Sequence, residues 1–599
     1  MAKKDKKLIR YTDRDFNSIK ESLVRYTKRY YPDVYQDFSE ASFGSLMLDT
    51  VSYVGDILSF YLDYQANESF LDTAIEYDNI IRHGEQVGYS LPLKSNSFGV
   101  VTLYVLVSAN AVGAPDEDYL PTLIKGSKFS STGGQIFTLL DDVDFSNPDN
   151  EVITATSIPE TGAVTAYAVK AYGRVISGEL NEQTINVGNF TRFLTVALSD
   201  PNITEIVSVT DTEGHEYFEV DYLSQDTVFR SVTNKDPETS RYVPEKIVAT
   251  SVPRRFTTFN RFGQIFIKFG YGSESSLKTD NITHPSNVVL KMHGKNYEKE
   301  TSLDPSKLLE TDKFGIAPAN TSLKVVYRTN TVDKVNVATN GLNKVIEPLF
   351  VFGSKATNTS KINIVRDSIE VINDTPILGD VSVPSAIELK QRINDVFSTQ
   401  NRAVTAQDYS ALVYRMPSKF GSVKRAKIIR DQDSFKRNLN MYILSEDVNG
   451  NFIFSNQLLK NNLKTWLNHY RMINDTIDIL DPKIINIKIK FVAVVDYSQD
   501  KFDALDVAID EIRNIFEVKM DIGEPIYITK IYDVLNNLDE IVDVTNVKIE
   551  IADADEGLRS SQVLNLDEWI SADGRILYAP EDTVYELKYP NLDIQGTIK

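Results

Sequence analysis

The sequence predicts a multidomain α+β chain with an N-terminal helical region over residues 1–97, a mainly β middle region over 98–380, and a C-terminal α+β domain over 381–599. Three patterns carry this. Apolar residues before Ser97 recur at helical spacing, runs from Phe98 to about Gly379 favour strands punctuated by turn residues, and beyond Pro384 helical and strand periods alternate. A chain of 599 residues is too long for one core and divides into roughly three or four domains of ordinary size, and its 42% apolar content is enough to fill several cores.

In the first region Phe16, Ile19, Leu23 and Tyr26 share one helix face, and Leu46, Tyr53, Ile57, Leu58 and Tyr61 share another. No plausible catalytic set gathers on the polar faces, so these helices are expected to be assembly elements. The region is crowded with Tyr26, Tyr30, Tyr31, Tyr35, Tyr53, Tyr61 and Tyr64, together with Phe38, Phe43, Phe60 and Phe70. Tyrosine joins a large rigid apolar surface to a polar tip, which suits extensive and specific interfaces, although some of these rings must pack against helices of the same chain. A helical region this small has few places of its own to bury two apolar faces. At least one helix is therefore expected to be completed by another polypeptide, with Phe16, Ile19, Leu23, Leu46, Tyr53, Ile57 and Tyr61 as the partner-binding candidates.

In the middle region strands are expected at Val100–Val107, Ala163–Val169 and Thr204–Val209, with turns at Thr132-Gly133-Gly134, Pro159–Gly162 and Asn340-Gly341 and a long surface loop over Asp141–Asn150. Two or more modules are expected there. Past Pro384, Ser385 and Glu388 have capping-box spacing ahead of Leu389, Ile393, Val396 and Phe397, and Thr405 with Asp408 marks a second helix start. Leu459, Leu463, Trp466, Leu467 and Tyr470 form another amphipathic face. Ile485, Ile487, Ile489, Phe491, Ala493 and Val495 keep a strict period of two, the signature of a half-buried strand. Helices on Phe502, Leu505, Ile509, Ile512 and Phe516 and on Ile531, Leu535 and Leu538 precede a strand at Val544–Ile551, giving helices packed on one face of a sheet. No fixed-period repeat or low-complexity tract occurs.

Chemistry is sparse. The chain has no cysteine, which excludes disulfides and thiolate metal sites. The five histidines, His83, His215, His284, His293 and His469, show no ligand-like spacing; His284 and His293 could meet across a hairpin, with exposed polar residues as the plainer reading. There is no phosphate loop and no Gly-x-Ser-x-Gly elbow, and Gly133-Gly134 and Gly270-Tyr271-Gly272 read as turns or strand ends. Asp116, Glu117 and Asp118 lack the spaced ligands of a calcium loop, and Asp553, Asp555 and Glu556 read the same way. Abundant carboxylates single out no glycosidase pair. No catalytic, cofactor-binding or metal-binding residue is assigned, and no cofactor is expected.

With 84 acidic and 64 basic side chains the net charge is -20, which opposes general binding to nucleic acid. Residues 1–30 hold ten Lys or Arg against four Asp or Glu, a basic arm for an acidic partner or nucleic acid, or simply a solvated tail. No secretory signal pattern opens the chain. Its apolar runs fall short of the roughly 18–20 residues that span a bilayer. Cytoplasmic synthesis without membrane insertion is expected.

Five ordered segments carry a family resemblance. They are Tyr11–Phe16 with Phe43–Asp49 and Gly88–Pro92; Glu219–Asp226 with Val252–Phe256 and Gly263–Gly270; Asp304–Leu309; Tyr327–Asn330; and Asn401–Tyr409 leading into Ala411-Leu412. In this order they resemble the baseplate wedge proteins of contractile-tailed bacteriophages, the T-even gene-6-like branch of the baseplate J-like family, though this chain is short for that branch. The resemblance implies a structural subunit and no enzyme. Two copies would clamp a larger wedge protein through a shared helical bundle supplied here by residues 11–91, near which a small sheath-initiator-like protein attaches. Regions from about residue 385 would pair with other copies, within and between wedges, to close a ring round the tail hub that rearranges to trigger sheath contraction. The implied location is the virion tail baseplate, assembled in the host cytoplasm. The alternatives are a tail-associated cell-wall hydrolase, a receptor-binding fibre, or a subunit of a non-viral contractile injection system.

Overall fold

The computed structural model describes the chain except for residues 1–14, 32, 34–38, 40–41, 90–91, 111, 158–163, 234–244, 262, 274–313, 331, 401, 432–437, 473, 496–499, 553–558, 560–561 and 563. Sequence readings at Tyr11–Arg14, Tyr35, Phe38, Ser90, Leu91, Pro159–Gly162, His284, His293, Asp304–Leu309, Asn401, Asp553, Asp555 and Glu556 fall outside the described residues, as does most of the basic arm. The architecture is multidomain α+β: helices first, then mainly β, then mixed helices and strands. In chain order the described α-helices are α1 (Phe16–Tyr30), α2 (Phe43–Glu68), α3 (Tyr77–Gln86), α4 (Thr359–Asp367), α5 (Ala386–Thr399), α6 (Ala406–Tyr414), α7 (Gln457–Leu467), α8 (Lys501–Ile515), α9 (Ile528–Asn536) and the single turn α10 (Pro590–Asp593). The chain forms two compact units, residues 1–90 with 384–397, and residues 91–383 with 398–599.

In the first unit each helix start has a local cause. The Asp15 carboxylate accepts from the Ser18 amide at 3.3 Å and caps α1, while the Ser42 hydroxyl accepts from the Ser45 amide at 3.1 Å and caps α2. The expected α5 start is also formed, with the Glu388 amide donating to Ser385 Oγ at 3.3 Å. Leu389 and Ile393 on α5 and Ile80 on α3 are fully buried. A Cβ at Gly84 of α3 would lie 3.0 Å from Ile393, so a side chain there would force the two helices apart. Phe397, at the edge of the α5 stripe, remains 66% exposed.

The second unit is built on four main sheets. In the first, β1 (Phe98–Ser108) runs antiparallel to β2 (Val164–Ser177) from Phe98 opposite Ile176 to Ser108 opposite Ala166. Val101, Leu103, Val105 and Val107 alternate into its core. Its turn at Thr132-Gly133-Gly134 forms as expected, with Gly134 at φ 82°. The expected loop over 141–150 is instead pinned to the domain: Val143–Asp144 is a short strand and Phe145 is buried to 1% exposure, because two apolar side chains among its polar residues enter the core.

The second sheet has seven strands, β3 (Glu179–Val187), β4 (Thr195–Ala197), β5 (Ile203–Thr210), β6 (Glu216–Glu219), β7 (Arg255–Arg261), β8 (Gln264–Phe269) and β9 (Thr321–Thr329), in spatial order β3-β9-β5-β6-β7-β8-β4. All its pairings are antiparallel except β6 with β7. Phe256, Ile265, Ile267 and Phe269 fill its core, so the alternate residues of β7 and β8 face outward.

The third sheet, β10 (Arg425–Arg430), β11 (Asn438–Glu446), Phe452–Phe454 and β12 (Thr476–Leu480), packs under α6 and α7. The Thr405–Asp408 capping box that starts α6 is complete. The fourth sheet centres on β13 (Lys483–Val495), flanked by β14 (Ile541–Ile551) on one side and by β15 (Thr583–Glu586) and β16 (Ile594–Ile598) on the other. All six period-two residues of β13, Ile485 to Val495, are buried beneath α8 and α9. Phe502, in the first turn of α8, is 79% exposed despite fitting the apolar period, since period alone does not tell where a helix leaves its neighbour. α9 also guards the β14 edge: the Val544 amide donates to Asn536 Oδ1 at 3.1 Å and the Val547 amide to the Tyr532 hydroxyl at 2.8 Å.

Candidate assembly interface

The first unit carries the expected interface residues, and α2 is its longest helix. At 1.5 Å per residue its 26 residues span about 39 Å. One face is narrow and made of small residues: Ser45 and Ser52 are buried, Ser52 Oγ donates back to the Leu48 carbonyl at 2.7 Å, and a Cβ on Gly55 would lie 3.2 Å from Ile19 Cδ1 of α1. The lack of a side chain at Gly55 is thus what lets Ile19 seat there. Lys20 and Asp49 close the same α1–α2 contact with a 2.6 Å ion pair. The opposite arc of α2 is large and apolar. Phe43, Leu46, Met47, Val51, Tyr53, Val54, Leu58, Phe60, Tyr61 and Leu62 are each between 49% and 73% exposed. At 100° per residue they sweep roughly 200° of the helix surface. The usual polarity of a surface helix is inverted here, with the small, polar seam inward and the apolar arc outward.

A buried carboxylate fixes where α2 ends. Glu68, 5% exposed, accepts from the Ile75 amide at 2.7 Å, from the Glu76 amide at 3.3 Å and from Asn79 Nδ2 at 2.9 Å. It therefore sits as an anion over the N-terminus of α3, where free amides and the helix dipole favour negative charge. Burial pushes its carboxyl up, but the hydrogen bonds from Asn79 and from the two amides outweigh that and hold it below the ordinary range. The His83 ring nitrogen Nε2 lies 2.8 Å from the Glu68 carbonyl oxygen, and Lys390 of α5 donates to the Asp72 carbonyl at 3.1 Å. Nearby, burial pushes the Tyr77 phenol up to about 12. The α2–α3 corner is a fixed mount for the exposed arc.

The seven sequence candidates divide between the two faces. Phe16, Ile19 and Leu23 are half-buried on α1, and Ile57 is half-buried on α2. Leu46 (59%), Tyr53 (59%) and Tyr61 (62%) lie on the open arc. Sequence reasoning missed Met47, Val51, Val54 and Leu62 on that arc. The signal was available, because apolar residues on α2 cover more than half its circumference while Ser45, Ser52, Gly55 and Ser59, at spacings of seven, three and four, share one helix face.

Catalytic geometry is poor elsewhere. His215 Nδ1 lies 3.1 Å from Asp211, Asp116 pairs with Lys361 at 2.6 Å, and no group of three His, Cys, Asp or Glu that could hold a metal ion occurs among the described residues. A polar cavity of about 340 Å³ adjoins β11, β12 and α7, but its side chains bind one another, Asn438 with Asp478 at 2.7 Å and Gln457 with Asn461 at 3.1 Å. No described helix is long and apolar enough to cross a membrane.

Residues 15–86 match the family model described as "Bacteriophage baseplate protein, N-terminal domain". No curated protein matches the chain. A cryo-EM structure of the anti-feeding prophage baseplate, 6-fold symmetrised, aligns over 96% of this chain and 98% of that chain at 10% sequence identity, with a TM-score of 0.27; agreement this loose carries no argument. The helical unit is thus similar to the N-terminal domain of bacteriophage baseplate proteins, which supports a structural role in a baseplate.

Proposed function

We propose that this chain is a structural subunit of a contractile-tail baseplate wedge, and that the apolar arc of α2 is the surface on which other wedge polypeptides complete a helical bundle. The observation that supports this reading is the inversion of α2: a 26-residue helix held by its small-residue seam and turning ten large apolar side chains outward. An exposed patch of that extent is a cost to an isolated soluble chain and a driving force once covered. The match of residues 15–86 to a baseplate N-terminal domain supports the same region for the same role.

In this reading the partners are a second copy of the chain, a larger wedge protein and a small sheath-initiator-like protein. The C-terminal domain from residue 381 contributes ring contacts round the tail hub, and the ring has two packings of similar free energy, so that a trigger elsewhere shifts it and releases the sheath. The chain acts mechanically in the virion tail, after assembly in the host cytoplasm, and is not an enzyme. Co-expression with the adjacent tail proteins tests the bundle: the wild-type chain is expected to co-purify in a stoichiometric complex, and a chain with Leu46, Tyr53 and Tyr61 changed to Glu is expected to remain folded and alone. Identical ring geometry in extended and contracted particles would sink the switching step.

A further inference from the structure

The outer face of β7 and β8 carries a continuous cationic and aromatic strip. Strand register places Phe259 opposite Phe266 and Arg261 opposite Gln264, on the face away from the core residues Phe256, Ile265, Ile267 and Phe269. The strip can be followed ring by ring. Arg261 lies over the Phe259 ring at 5.0 Å, Phe259 stacks on Phe266 at 5.4 Å with an interplanar angle of 8°, and Lys268 follows Phe266 on the same face. Lys268 then lies over the Phe193 ring at 5.3 Å, Phe193 meets Tyr271 at 5.3 Å, and Arg192 covers Tyr271 at 4.6 Å. Three cations thus alternate with two aromatic pairs. From Gln264 to Tyr271 the strip runs roughly 23 Å at about 3.3 Å per residue.

Two observations set it apart from ordinary surface. Arg192, Arg261 and Lys268 pair with no carboxylate among the described residues, although the chain carries 84 acidic side chains against 64 basic ones. Phe193 also holds φ at 53°, a conformation costly for a bulky residue, fixed by the Phe193 amide donating to the Gly270 carbonyl at 2.9 Å. That backbone conformation places its ring beneath Lys268.

We propose that this strip docks an extended acidic segment of a partner protein, with carboxylates roughly 13 Å apart, four residues along the strand so that they share one face, and apolar side chains between them. Each guanidinium or ammonium group is held on a ring and meets no carboxylate among the described residues, and the ring edges between them accept aliphatic side chains. The same geometry disfavours flat ligands. One face of each ring is already engaged, by Arg261, Lys268 or Arg192 or within the Phe259–Phe266 stack, which leaves nucleotide bases and sugar rings less stacking surface than an open aromatic platform offers. A net charge of -20 further repels a dense polyanion, whereas a short segment with two or three carboxylates is matched by three cations. The site lies in the second unit and stands independently of the α2 interface.

Fluorescence anisotropy of the full chain with a labelled synthetic peptide of about ten residues, Glu at every fourth position and Leu between, tests this. Saturable binding that weakens with salt is expected, with no binding of the Gln-for-Glu peptide. Arg192→Glu/Arg261→Glu/Lys268→Glu is expected to lose about 30-fold or more in affinity. The charge-neutral Arg192→Gln/Arg261→Gln/Lys268→Gln should lose less, and Lys355→Glu, in a turn outside this sheet, should behave as wild type. Thermal melts establish that each variant is folded. Failure of the peptide to bind, equal binding by the triple variants, or tighter binding of a dT oligonucleotide or a sulfated polysaccharide overturns the proposal. Loss of bundle assembly in the α2 variants bears on none of these outcomes.

Discussion

Replacing Leu46, Tyr53 and Tyr61 together by Glu separates docking from folding. All three are about three-fifths exposed on the open arc of α2. Substitutions at exposed helical positions generally change stability by no more than about 0.5 kcal/mol each, and Glu is a good helix former. The isolated variant is therefore expected to melt within about 5 °C of wild type. Docking is another matter. Full burial of a large apolar side chain gains about 1.5–3 kcal/mol, and three-fifths of that remains available here, so each residue contributes about 1–2 kcal/mol when a partner covers it. Losing three such terms weakens assembly by at least about 100-fold, before the cost of burying unpaired carboxylates. The assay is titration of the variant against co-purified tail partners by analytical ultracentrifugation, beside its thermal melt. An all-Ala version isolates the apolar part. Undiminished assembly would make the arc irrelevant to partners, and a melting point that collapses in the isolated chain would make it part of the chain's own core; either result defeats the docking role.

Other outcomes follow from the same contacts. Gly55→Leu is expected to push Ile19 away and separate α1 from α2, seen as lost helicity and a melt lowered by about 1–3 kcal/mol, with Gly55→Ala milder. Glu68→Ala leaves the Ile75 and Glu76 amides and Asn79 without their acceptor and should cost about 2 kcal/mol, read by denaturant titration. Because the folded-state pKa of Glu68 is lowered, its contribution is present above the ordinary glutamate range and is lost as pH falls through the folded value; the Ala variant should lack that part of the acid dependence. Asp380 behaves oppositely. Burial pushes its carboxyl up to about 6, so charging it erodes stability as pH rises from about 4 to 6. Asp380→Asn keeps an acceptor for the Val335 amide and is expected to be the more stable chain at pH 7, by about 3 kcal/mol at most, with no advantage at pH 3.

Much of the fold is legible because period and burial coincide. The alternation from Ile485 to Val495 specified β13 and its core-facing side, and the Thr405–Asp408 pair fixed the start of α6. Where the sequence misled, single apolar residues decided. Phe145 drew an apparently polar loop into the core, and Phe502 fitted a helical stripe yet lies where no neighbour covers it. The open apolar arc of α2 was half visible. Period analysis found Leu46, Tyr53 and Tyr61, but it grouped them with Ile19 and Leu23, which pack within the unit, because a helix apolar on more than half its surface gives no sign of which arc faces inward. The small-residue seam at Ser45, Ser52 and Gly55 resolves that ambiguity. The strip on β7 and β8 could not be read from sequence at all. Arg192 and Phe193 reach it from the loop before β4, and only strand pairing brings them beside Lys268 and Tyr271.

Whether a partner covers α2 is answered by hydrogen–deuterium exchange on the free chain and on the chain within its assembled wedge complex. Slower amide exchange across α2, residues 43–62, on assembly, with the β13 core unchanged, is the expected result. Equal protection of α2 in both states would mean that its apolar arc stays uncovered in the complex, and the shared bundle would have to be abandoned.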